Sequence, residues 1–284
     1  MNPGYKHGAG ALDVNQGLDQ FEDWLEVVRQ YSPVTAKGYA QSVRMVLRQV
    51  PSFDYANLVC YLKEFRARYS VGHYSNTLGA LKVFTRFIGR PELLEEFAFP
   101  RPQMMPKPFW NKTQIQAFYD ALTSPKMKAL LLMGATTGLR KGEVVGLRFD
   151  DVDFRTRAVI PKVHAGTTKH SWASFYNKEC EEALARHIAT MSPAIKSRGK
   201  LFPLSSRDFK DEWGRAKAIS QVNLKFKDLR DFFAQSMLDL GVQSIYIDAF
   251  SGRAPGSVLA KHYIDLSPQK LKQVYDHAGL KVLS

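Results

Sequence analysis

The sequence predicts a mainly α protein with one small antiparallel β-sheet, arranged as two domains. Three observations predict it. Apolar residues recur at three- and four-residue spacings through most of the chain, the pattern of helices that bury one face. One stretch, RAVIPKVHAGTTKHSWASFY, breaks that rhythm and reads as two short strands around a glycine-containing turn. Prolines at 100, 102, 106 and 108 separate two helical blocks. Proline at that density blocks helix and favours an extended connector.

Taken in order, residues 1–13 are glycine-rich without apolar periodicity and are expected to form a flexible tail. A helical domain over 14–99 follows. Its first helix starts near Leu18 and presents Phe21, Trp24, Leu25 and Val28 as one apolar stripe. Ser32 is placed as the N-cap of a second helix, with Pro33 at its first position. A third helix covers Tyr55 to Arg66, and a fourth Ser75 to Ile88, with Leu78, Leu81, Phe84 and Phe87 inward. The linker over 100–108 carries Arg101 and Lys107, placed to cross a phosphate backbone or simply to stay solvated.

The second domain, 109–284, opens with a capped helix from Thr113 to Leu122. An apolar helix from Met127 to Thr136 is broken at Gly138, and another runs from about Lys141 to Leu147. After the two strands, helices resume beyond Asn177, with breaks at Ser192-Pro193, Gly199, Gly241, Ser251-Gly252, Pro255 and Pro268. The last helix, in PQKLKQVYDHAGL, suits packing against a neighbouring copy.

With 284 residues and 45% hydrophobic content, the chain can bury two cores. Its net charge of +13 calls for an anionic partner, nucleic acid first. Cys60 and Cys180 are the only cysteines, so no disulfide framework is expected, and the scattered histidines lack ligand spacing. No metal and no cofactor are expected. No apolar run reaches membrane-span length and the amino terminus lacks a signal-like core, so the expectation is a cytoplasmic, DNA-associated protein.

Three segments can carry chemistry. In ATTGLRKGEVVGL, a helix starting after Gly138 puts Arg140, Glu143, Val144 and Leu147 on one face. An arginine beside an apolar stripe needs a partner, because burying a lone cation is costly. Glu143 can orient Arg140 for a ligand, or the two can form a purely structural pair. In KFKDLRDFFAQSML, Phe226, Leu229, Phe233 and Met237 form the inner stripe. Lys227 and Arg230 sit three apart at its margin, able to converge on one anion or to remain a solvated basic face. In SGRAPGSVLAKHYIDLS, Arg253 lies in a Gly/Pro turn, and a short helix from about Ser257 carries Tyr263. Tyr263 shares a face with Leu259 and Leu266, so it also reads as a core tyrosine.

Together, the order and spacing of these segments resemble the tyrosine recombinases, the integrases of the phage type. TTGLRKGEV is similar to that family's first-arginine box and DLRDFFAQSMLDLG to its second. SGRAPGSVLAKHY resembles the segment bearing the last basic residue and the tyrosine. FEDWLEVVRQYSPVTAKGYAQSVRMVL and SNTLGALKVFTRFIG resemble the helical, SAM-like core-binding domain. The likeness covers about residues 15–280.

The resemblance implies a site-specific recombinase. Arg140 and Arg230 then match the arginines that clamp the scissile phosphate, Glu143 the acidic residue supporting the first, and Tyr263 the nucleophile. The hairpin lysine corresponds to Lys169, which keeps the expected distance to the end of the second strand, with Lys162 in reserve. Two positions depart from the family pattern: Lys227 stands where it has His, and Arg253 where it has His or Trp. Both keep a cation or donor at the phosphate, a combination that looks like integrases of archaeal viruses and plasmids. The implied partners are double-stranded DNA and further copies of the chain, a tetramer in the synapse. A type IB-like topoisomerase, or an inactive DNA-binding regulator of the same fold, are the alternatives left open.

This residue set can perform the reaction. Attack on a phosphodiester builds negative charge on the phosphoryl oxygens, and rigid guanidinium forks are suited to hold it. With Arg140, Arg230, Arg253 and Lys227 around one phosphate, a divalent metal is not required. A tyrosine, with a pKa near 10 in peptides, needs such a cationic pocket to reach its phenolate.

Overall fold

The computed structural model describes residues 14–101, 109–161, 173–253 and 264–283. The expected tail, most of the linker, the connection between the two expected strands with Lys162 and Lys169, and the segment bearing Tyr263 lie outside these residues. The chain divides into two compact units, Met1–Pro106 and Lys107–Ser284.

The first unit contains four helices, α1 (Val14–Val27), α2 (Pro33–Leu47), α3 (Tyr55–Arg68) and α4 (Val71–Phe87). Small polar residues start three of them: the Ser32, Asp54 and Ser70 side chains accept from the Thr35, Asn57 and His73 amides. Helix α4 therefore begins a turn earlier than its apolar stripe indicates, because the cap is Ser70 rather than a residue near Ser75. Leu18, Phe21 and Leu25 are buried with Val43, Val46, Leu58, Leu62, Leu78 and Leu81. Val28, expected in the same stripe, is 62% exposed. The chain leaves the helix after Val27, Gln30 takes a left-handed φ of 56°, and Tyr31 N–H returns to Leu25 O at 2.9 Å. That turn rotates Val28 outward.

In the second unit, α5 (Lys112–Ala121) carries a reciprocal cap between Asn111 and Gln114. Helix α6 (Pro125–Thr137) is buried from Ala129 to its end. It packs against α8 (Lys178–Ala189) on one side and α11 (Asp228–Asp239) on another. A short helix, α7 (Lys141–Gly146), leads to three antiparallel strands in sequential order, β1 (Val152–Asp153), β2 (Ala158–Val159) and β3 (Ser174–Phe175). The strand β1 is one more than expected. At two residues it is too short to show alternation, and it exists because Asp153 organises the turn to β2, accepting from the Arg155 and Thr156 amides.

Among the described residues the remaining α-helices are α9 (Pro193–Lys196), α10 (Ser206–Ser220), α12 (Ser244–Phe250) and α13 (Pro268–Ala278). Helix α13, expected to suit a neighbouring copy, spends its apolar face within the chain. Leu271 and Tyr275 are buried, and Tyr275 packs its ring against Phe175 and Phe250. Burial of each such side chain stabilises by roughly 1.5–3 kcal/mol. The segment beyond is tied down as well, since Glu179 accepts from the Val282 and Leu283 amides at 2.8 and 3.1 Å.

Two glycines on one face of α6 decide where α11 lies. A Cβ on Gly134 would stand 2.8 Å from Phe226 and 3.0 Å from Leu229; one on Gly138 would stand 2.4 Å from Phe233. The apolar stripe of α11 therefore seats directly on the α6 backbone. This close approach brings the first turn of α11 to the end of α6, where the candidate site begins.

Candidate active site

Gly138 ends α6 in the left-handed conformation (φ 67°), which a side chain disfavours. The chain reverses there, Leu139 is buried, and Arg140 takes extended geometry as the cap residue of α7. Arg140 thus lies just ahead of the helix rather than on its face with Val144 and Leu147. Glu143 binds it twice. One carboxylate oxygen accepts from the Arg140 amide at 2.6 Å and the other from Nη1 at 3.1 Å. The Glu143 side chain is 15% exposed and that of Arg140 33%, so the acid forms the inner support and the guanidinium the outer surface. Such a pair restrains the fork while one side of it stays available.

Arg230 is the third residue of α11, and its Nη1 donates to Gly138 O at 2.9 Å. Its guanidinium is pushed down to about 10, first by burial, then by the charges of Arg140 and Arg253, with Glu143 and Asp231 opposing. The guanidinium groups of Arg140, at the cap of α7, and of Arg253, in the turn after α12, therefore both act on that of Arg230 in α11. Such an arrangement favours an anion beside Arg230.

Arg253 is exposed and donates from Nη1 to Asp248 Oδ1 at 2.9 Å, while its amide binds the Asp248 carbonyl at 2.9 Å. Lys227 is placed differently. It occupies the cap position of α11 and is exposed. It lines an open cleft with Trp110, Asn223, Asp228 and Asp231. It is not one of the charges named above as acting on Arg230. Lys169, Lys162 and Tyr263 lie outside the described residues.

Two other phenols in this unit differ sharply. Tyr275 is 3% exposed, its hydroxyl donates to Thr136 O at 2.9 Å, and burial holds it well above the usual tyrosine range. Tyr246 on α12 is half-buried. Among the described residues, no group of three His, Cys, Asp or Glu side chains is placed to hold a metal ion.

Two participants escape sequence reasoning. The Gly138 carbonyl acts through the backbone, so residue type gives no hint of it. Asp248 is separated from Arg253 by a turn whose closure depends on Gly252 (φ 63°), and only the SGR sequence hints at that geometry.

Residues 109–270 match the family model described as the phage integrase family. This chain belongs to that family. Across nearly its whole length it is similar to the tyrosine recombinase XerA of Pyrococcus furiosus, with 25% identity over 93% of this chain and 94% of the other. In fold it is similar to the lambda integrase tetramer bound to a Holliday junction, with a TM-score of 0.68 and 13% identity over 93% and 85% of the two chains. A further likeness is to the Tn1549 transposon integrase in complex with circular intermediate DNA, with a TM-score of 0.66 and 15% identity over 90% and 98%. The chain is thus an enzyme of the tyrosine-type site-specific recombinases, and the paired arginines described above lie inside the matched region.

Proposed function

We propose that this recombinase cleaves and rejoins duplex DNA by transferring a backbone phosphoryl group to Tyr263 and back. The observation that carries the reading is that Arg230, bonded to the Gly138 carbonyl at the turn presenting Arg140, lies within the influence of both the Arg140 and the Arg253 charges. Cations gathered at one turn, with Glu143 and Asp248 orienting two of them, are matched by a phosphodiester whose oxygens gain charge in the transition state.

In this mechanism Tyr263 gives up its phenolic proton to solvent and attacks phosphorus as the phenolate, while Arg140 and Arg230 hold the non-bridging oxygens and Glu143 keeps Arg140 oriented. The bond from phosphorus to O5′ breaks. A 3′-phosphotyrosyl link forms, and the departing O5′ takes a proton from Lys169, with Lys162 in reserve. Arg253 and Lys227 add positive charge at the phosphate. The covalent link conserves the phosphoester, so a 5′-hydroxyl of another strand can displace Tyr263 without ATP.

Recombination joins two duplexes, which calls for a tetramer of chains on paired sites. The helical domain (14–99) and the catalytic domain (109–284) both contact the duplex. The protein acts where its DNA is, in the cytoplasm at the nucleoid.

The test is covalent trapping on a nicked suicide duplex carrying the recombination site. Wild type should yield a protein–DNA adduct whose peptide maps to Tyr263, and Tyr263→Phe should bind the duplex without forming one. An adduct mapped to Tyr246 or Tyr275 would overturn the assignment.

A further inference from the structure

Lys141, the residue after the first arginine, has its Nζ only 3.5 Å from the centroid of the Phe209 ring on α10. That ring is fixed. Phe209 is 7% exposed and stacked on Trp213 (5.0 Å, 20°), and Trp213 packs on Phe118 and Phe226. The Trp213 indole N–H donates to Leu224 O at 2.8 Å, which locks the column further. The ammonium is thus held against an aromatic face tied to α5, α10 and the segment leading into α11.

The next residue on α10 is Lys210. Burial against the ring, and then the charge of Lys210, hold Lys141 below the ordinary lysine range. Among the described residues neither lysine forms an ion pair. Two of the three acids on α10 are engaged elsewhere. Asp208 binds the Ser205 hydroxyl and answers to Lys126 and Arg207; Glu212 accepts from the Ser124 amide at 2.9 Å. The residue next to Arg140 and a lysine of α10 are therefore two cations that repel one another without an ion-pair partner among the described residues. Nothing in the reaction scheme above uses them.

We infer that Lys141 and Lys210 bind a second backbone phosphate of the DNA, adjacent to the one held by Arg140 and Arg230, and so set the register of the strand in the active site. The inference rests on the recombinase reading and deepens it. Lys141 acts as a positioning residue, with the Phe209 ring limiting where its ammonium can go.

The experiment measures affinity of the full chain for a mixed-sequence duplex between about 50 and 200 mM salt. Each lost phosphate contact lowers the slope of log K against log salt by about 0.9. Lys141→Gln combined with Lys210→Gln should lower it by about that much, so the affinity gap to wild type narrows roughly threefold across the range. Lys141→Arg should restore the wild-type slope. Lys210→Gln alone, at an exposed position, should lower the slope without changing the melting temperature, so the result stands even if the double variant is unstable. Parallel salt plots for wild type, the Lys210→Gln variant and a folded double variant would overturn the inference. A wild type whose duplex binding ignores salt would instead overturn the recombinase reading itself.

Discussion

Arg230 reaches across from α11 to place its Nη1 2.9 Å from the carbonyl oxygen of Gly138, two residues before Arg140. The second arginine is thereby held by the turn that presents the first. Glu143 completes the arrangement from the other side, binding the amide and the guanidinium of Arg140. The spacing of the two arginines thus depends on one backbone carbonyl rather than on the relative drift of two helices.

Gly138→Ala tests that dependence. The new Cβ would meet a left-handed φ of 67° and the Phe233 ring at 2.4 Å. Strain of about 1–2 kcal/mol from the backbone and about 1–3 from overpacking should lower stability by roughly 2–5 kcal/mol. Urea denaturation measures that loss. Cleavage of the suicide duplex, assayed well below the melting temperature, should fall further than folding alone accounts for, because the carbonyl that fixes Arg230 moves. Unchanged cleavage in a folded variant would separate the turn from the clamp.

Part of this arrangement is legible in the sequence. Apolar spacing marks most of the helices, and a cap residue beside proline at Ser32-Pro33 marks the start of α2. The three-residue step from Arg140 to Glu143 announces the pair that forms. What stays hidden is long-range. Gly138 reads locally as a helix break and Gly134 falls unremarked within the expected helix, yet together they are the groove into which Phe226, Leu229 and Phe233 fit, a relationship visible only when α11 is laid on α6. The two-residue strand β1 and the outward turn of Val28 depend on single turns, Asp153 and Gln30, that leave no periodic trace.

Arg230→Lys separates charge from geometry. A lysine keeps the cation but has no fork to span the Gly138 carbonyl and a phosphate oxygen together. Loss of one preorganised donor at a developing oxyanion typically costs about 10²–10³ in rate. Single-turnover cleavage should fall by that order, while duplex affinity at fixed salt changes little. A drop in affinity as large as the drop in rate would mean that Arg230 serves ground-state binding instead.

Tyr275→Phe should behave in the opposite way. Its hydroxyl is buried against Thr136 O at 2.9 Å, and the change leaves that carbonyl without its partner. Stability should fall by about 1–3 kcal/mol. Adduct yield per folded molecule should stay at the wild-type level. Loss of the adduct with folding intact would relocate the nucleophile.

The depressed guanidinium of Arg230 also makes a prediction about the free protein. Its folded value of about 10 lies below the ordinary arginine range, so the folded state holds this proton less tightly than the unfolded chain does. The sign follows from proton linkage: the associated stability is present only above the unfolded value and is lost as pH falls through about 10. At neutral pH the burial of Arg230, and the charges of Arg140 and Arg253 upon it, therefore oppose folding until an anion lies beside it. Sulfate, a tetrahedral oxyanion like phosphate, should stabilise the protein relative to chloride at equal ionic strength. At tenfold excess over its Kd the gain is about 1.4 kcal/mol, or roughly 3–6 °C in Tm for a unit of this size. The Arg230→Gln variant should lose most of that increment, because the repulsion sulfate relieves is already gone and one of its ligands is missing. If scanning calorimetry gives equal increments for both proteins, the anion is acting elsewhere on the surface and the three arginines do not form one site.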